Sequence, residues 1–195
     1  MKTPNMCSTS LATVSTVAIM LFAGCTAAVG EPAADENDEL ASACVPQVPP
    51  ALAVPKGNKL AFSYDAIGAQ IYGCDATATG YGWVLRGPDA KLYGHKGKLA
   101  GTHYAGPTWE ANDGSTVVGT KLADYAADPT TIPWLLLGAT GHAGKGRMTD
   151  VTFIHRLETV GGKAPATGCD ATHVGETVRV DYTATYYFYE ARGKK

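Results

Sequence analysis

The densest run of chemically useful side chains is residues 101–115, where His103, Tyr104, Trp109, Glu110 and Asp113 fall within one short stretch. Aromatic faces stack on sugar rings, while carboxylates and an imidazole hydrogen-bond hydroxyls, so this mixture fits recognition of a glycan or another surface polymer. The alternative takes the same loop, with one more loop histidine, as a metal site or as carboxylate chemistry in which Glu110 and Asp113 face each other across a cleft. An architectural role competes with both: Trp109 fills the core and Asp113-Gly114 turns a hairpin.

Other chemistries find less support. Residues 135–144 imitate the strand-to-glycine-loop opening of a dinucleotide fold, but Lys145-Gly146-Arg147 leads into an alternating strand instead of a helix, so no nucleotide cofactor is expected. Ser63 and Ser115 lack the Gly-x-Ser-x-Gly elbow of a hydrolase. His95, His103, His142, His155 and His173 show neither His-x-His nor His-Glu-x-x-His spacing, and no metal site or other cofactor is assigned. His155 lies on the apolar face of its strand, which fits a hydrogen-bonded core histidine better than a ligand.

These side chains must be held by strands. Val178, Val180, Tyr182, Ala184, Tyr186 and Phe188 alternate with Thr177, Arg179, Asp181, Thr183, Thr185 and Tyr187, giving one long strand or a bent pair. Val151, Phe153, His155 and Leu157 alternate with Thr152, Ile154, Arg156 and Glu158, and residues 59–64, 69–74 and 82–86 also read as extended. Gly87-Pro88-Asp89, Asp113-Gly114, Asp128-Pro129 and Gly161-Gly162 supply turn signals, and 122–127 is the single short helical candidate. The expectation is an all-β domain over 56–195, a sandwich or a partly closed barrel with function carried on its end loops. Ten tyrosines, three tryptophans and four phenylalanines supply its core, and a net charge of −2 excludes a strong nucleic-acid footprint.

Residues 1–25 read as an export signal: Lys2, an apolar run over 11–22, then Ala23-Gly24-Cys25. The ending Leu21-Phe22-Ala23-Gly24-Cys25 resembles the bacterial lipobox, making Cys25 the lipidation site; cleavage near Ala27 or Ala28 is the alternative. Residues 26–55, with Glu31, Asp35, Glu36, Asp38, Glu39 and repeated proline and alanine, read as an acidic tether. The domain then works outside the cytoplasm, either secreted or lipid-anchored to a membrane, with a bacterial outer membrane favoured. Cys74 and Cys169 share the setting Gly-Cys-Asp-Ala-Thr, so they are expected to pair, leaving Cys44 as the spare in an oxidising compartment.

Gly68-Ala69-Gln70-Ile71-Tyr72-Gly73-Cys74, Gly106-Pro107-Thr108-Trp109, Ile132-Pro133-Trp134, Arg156 with Thr159, and Tyr182 with 186–189 together resemble a secreted bacterial and fungal family. It is catalogued as domain of unknown function three-four-five-five. The resemblance implies an exported β-rich domain and brings no catalytic residue. Some fungal members carry a malate dehydrogenase label, which the lack of a cofactor fold argues against here. The resulting expectation is a tethered β-domain that binds or supports surface polysaccharide or matrix protein, and more a binder than an enzyme.

Overall fold

The alternation near the C-terminus is realised residue by residue. In the computed structural model, which describes residues 45–193, strand β8 (Thr177–Ala191) buries Tyr182, Ala184, Tyr186 and Phe188 and exposes Asp181 and Thr183. Its inward residues meet those of β1 (Asn58–Thr77), one continuous strand where two segments were expected. The other strands are β2 (Gly80–Tyr93), β3 (Leu99–Tyr104), β4 (Thr108–Ala111), β5 (Thr116–Tyr125), β6 (Trp134–Ala143) and β7 (Val151–Gly161). Each pairs antiparallel with its sequence neighbours, and β8 returns to β1, so the eight strands form one sheet closed into a ring. The short β4 and register shifts in several ladders make the ring irregular. Of the two expected architectures, a single closed sheet is found instead of a sandwich.

Two local expectations are corrected. Residues 122–127 are not a helical turn, because β5 runs on to Tyr125 and pairs there with Trp134. Gly87-Pro88-Asp89 is not a turn either: it lies inside β2, opposite Ile71, Gln70 and Ala69, beside the register shift of the β1–β2 ladder between Ile71 and Tyr72. The duplicated Gly-Cys-Asp-Ala-Thr segment is no structural repeat. Its first copy ends β1, while in the second the Asp170 carboxylate caps a loop by accepting from the Thr172 N–H and hydroxyl at 2.8 and 2.6 Å.

One end of the lumen is filled. Phe62 and Phe188 stack at 4.6 Å, and Leu92, Val117, Met148 and Ile154 complete a dry core. The loop between β6 and β7 closes this end with the Arg147 guanidinium over the Phe62 ring. Each of these large apolar side chains contributes roughly 1.5–3 kcal/mol by leaving water.

A second, smaller core lies outside the ring. Residues 50–52 form a 3-10 turn that buries Leu52 against Leu136 and Leu157 on the outer face of β6 and β7. The His155 Nε2 donates to the Leu52 carbonyl at 2.7 Å and its Nδ1 accepts from the Tyr189 hydroxyl at 3.1 Å. The compact unit therefore starts at Gln47, and residues 47–55, read as the end of the tether, belong to the barrel. At the opposite end, Cys74 and Cys169 form the expected disulfide and tie β1 to the loop before β8. Closing a span of 95 residues stabilises the fold by roughly 4–5 kcal/mol in the chain-entropy picture. The segments containing Cys25 and Cys44 lie outside the described residues. Among the described residues no helix is long and apolar enough to cross a membrane.

Candidate functional site

The disulfide-bearing end of the lumen is not filled. A cavity of about 450 Å³ remains there, within the range of small-molecule sites. Its floor is aromatic: the His103 and Trp109 rings stack at 4.3 Å and 9°, and Tyr186 meets Trp109 edge-on at 5.4 Å. Trp109 fits because β5 carries glycine beside it; a Cβ at Gly119 would lie 3.1 Å from the indole Cζ3. Ile132, Leu135 and Leu137 form an apolar wall, and Arg86, Lys121 and Asp124 stand around the rim.

Gln70, Tyr72 and Arg156 bring polarity inside. Arg156 comes from β7, whose inward face is Ile154 and Arg156 while His155 and Leu157 pack outward under residues 48–54. Its Nε and Nη2 donate to the Pro133 carbonyl at 3.2 and 2.9 Å. A bulge follows immediately: Glu158 takes φ 54°, and beyond it the Thr159 hydroxyl donates to the Ile132 carbonyl at 2.7 Å. Both carbonyls that frame the arginine are thus held by β7 side chains. Arg156 forms no ion pair among the described residues, whereas Arg86 is paired with Asp75 and Lys121 with Asp124.

Two cavity-lining residues each carry a buried donor without a partner: Gln70 Nε2 and Trp109 Nε1. Their residues are 2% and 1% exposed. Leaving a buried donor unsatisfied costs about 1–3 kcal/mol.

The ionisation states follow from burial. Burial drives the His103 pKa down to about 3, the Thr108 carbonyl opposes this, and the Arg156 charge adds to the depression. The imidazole is neutral, with Nδ1–H donated to the Thr108 carbonyl at 2.8 Å and Nε2 left as an acceptor. Burial also raises the Tyr72, Tyr182 and Tyr186 phenols, with Arg156 partly offsetting it, so all three stay protonated. None of these shifted groups titrates near neutral pH, where a general base would need to sit.

The structure separates the five residues singled out in 101–115. His103 and Trp109 face inward and line the cavity. Tyr104 and Glu110 lie on the outer face, where the phenol donates to the carboxylate at 3.0 Å. That bond, after desolvation, raises the Tyr104 pKa. Asp113 is at the filled end: Oδ1 accepts from the Ser115 N–H and hydroxyl at 2.9 and 2.6 Å, and Oδ2 from the Arg147 N–H at 2.8 Å. These bonds, led by the Ser115 hydroxyl, hold its carboxyl below the usual range. His142 and His173 bond elsewhere, to the Val151 carbonyl and to Asp170. Among the described residues no three His, Cys, Asp or Glu side chains gather as metal ligands.

Among the cavity residues, Gln70, Arg156 and Tyr186 figure in the sequence reasoning as carriers of the family resemblance and not as site residues. An arginine between Ile154 and the bulky Leu157 was the available signal, but the covered outer face of β7 looked like the inward one.

Fold and cavity define a class: an antiparallel β-barrel with one packed end and one hollow end, the hollow lined by aromatic rings and an arginine. Within that class, the chain belongs to the family described as protein of unknown function DUF3455, whose model matches residues 55–190, nearly the whole barrel. No curated protein and no solved structure matches the chain.

Proposed function

We propose that this protein is an exported, lipid-anchored binding barrel that takes up a small organic molecule in its lumen. The observation that carries this reading is the 450 Å³ cavity walled by aromatic and aliphatic side chains at one end of an otherwise packed barrel. Export is supported by the signal-like residues 1–25 and by a disulfide that suits an oxidising compartment. A surface polymer enters the account through a terminal or pendant group that fits the cavity, because Trp109, at 1% exposure, offers no face for stacking along a chain.

The test uses N-phenyl-1-naphthylamine, a neutral fluorophore of suitable size. Saturable binding of one probe per chain is expected, lost in Leu135→Trp, which fills the cavity, and retained in Tyr125→Ala on the outer surface. Equal binding to native protein and Leu135→Trp would place the probe elsewhere and refute the reading. For the anchor, the mature chain is expected to start at an acylated Cys25; an unmodified N-terminus near Ala28 would mean a freely secreted protein.

A further inference from the structure

The charge inside the cavity is lopsided. Arg86, Lys121 and Arg156 line it against a single carboxylate, Asp124, and that carboxylate is already committed to Lys121. Arg156 stands apart: partly buried, fixed by the Pro133 carbonyl and without an ion-pair partner among the described residues. A guanidinium carries five N–H donors in a planar fork, and the Pro133 carbonyl engages only the Nε and one Nη2 donor. The unpartnered Gln70 Nε2 and Trp109 Nε1 lie buried behind the same wall. The hydroxyls of Tyr72 and Tyr182 are spent on the Gly162 carbonyl and on Tyr186. Against these donors the lining sets the neutral His103 Nε2 and the Asp124 carboxylate, so Arg156 carries the one positive charge of the lining that no carboxylate balances among the described residues.

We infer that the guest is an organic anion, a carboxylate on an aromatic or alicyclic body, with the carboxylate held by Arg156 and the body against the apolar wall of Ile132, Pro133, Leu135 and Leu137. This rests on the binding reading above and adds its ligand class. A carboxylate accepts from a guanidinium in two parallel hydrogen bonds, and such charge-assisted bonds are short and strong in a site screened from water. The apolar wall supplies what a hydrophilic anion such as phosphate would not use, so the recognised chemistry is the acid group joined to an apolar body.

The experiment is calorimetric titration of the full chain with matched pairs: 2-naphthylacetate and 2-naphthylacetamide, then 4-phenylbutyrate and 4-phenylbutanamide. The acid of each pair is expected to bind about tenfold more tightly than its amide, with the margin shrinking as salt is raised. In Arg156→Gln the acid and amide are expected to converge while the amide keeps its native affinity. Should that variant fail to fold, the acid-to-amide ratio of the native protein and its salt dependence decide alone. Amides that bind as well as acids overturn the anion assignment and leave the binding barrel standing. If neither member of any pair binds, or if Leu135→Trp binds them unchanged, the binding reading itself falls.

Discussion

Trp109 looks in the sequence like the face on which a sugar would stack, yet its ring is the centre of the lumen. It touches His103, Tyr186 and Phe188, and a glycine on β5 makes room for it. Trp109→Ala should therefore destabilise the fold by about 3–5 kcal/mol in denaturant titration, where a surface-ligand role would leave the midpoint unchanged. The neighbouring His103, held near pKa 3, and His155, also depressed by burial, stay neutral in the folded barrel but take up protons when it unfolds below their ordinary value of 6.5. Their folded pKa values are lowered, so the stability they permit is full above 6.5 and declines as pH falls below it, for His103 down to about 3. The denaturant midpoint should already decline between pH 6.5 and the onset of carboxylate protonation near 3.8, and less steeply in His103→Asn. A flat profile across that window would contradict the buried neutral imidazoles. Sequence already offers a hydrogen-bonded core place for His155 and a core-filling one for Trp109, and both are buried; the burial of His103 depends on partners contributed by other strands, which lie far off in the chain.

Strands were more legible than their faces. The long alternation of β8 is reproduced because one side meets the lumen and the other meets solvent. On β7 the same pattern misleads: Phe153, His155 and Leu157 are apolar because residues 48–54 cover them from outside, and Arg156 is the residue that turns inward. The covering segment was read as tether since its prolines and alanines give no periodicity, and its fit is visible only once Leu52 is seated between Leu136 and Leu157. Leu52→Ala should cost about 2–4 kcal/mol in denaturant titration, an effect too large for a residue in a free linker. Turn residues told a similar mixed story. Asp113-Gly114 does turn between β4 and β5, with Ser115 and Arg147 fastened to the aspartate, whereas Gly87-Pro88 lies inside β2 beside a register shift that only pairing with β1 reveals.

At the scale of the whole molecule, one end of the barrel is closed by aromatic packing and the other is held open by pinned loops. The disulfide fixes the loop before β8, while the Thr159 and Arg156 side chains fix the 132–133 segment. A hollow that persists in a closed sheet needs rigid walls, and these three attachments supply them around the cavity. The all-β class and the cysteine pairing could be read from alternation and shared context. The cavity could not, because it is a volume left over when eight strands close, and no single segment encodes it. The sharpest measurement is a proton–nitrogen NMR titration with 2-naphthylacetate, following the three tryptophan indole N–H signals. The Trp109 signal and the Gln70 side-chain amide should shift together in one saturable step, while Trp83, bonded to the Thr167 carbonyl, and Trp134, packed on the outer face, stay in place. Shifts confined to Trp83 or Trp134, or none at all, would contradict a barrel that binds its guest in the lumen.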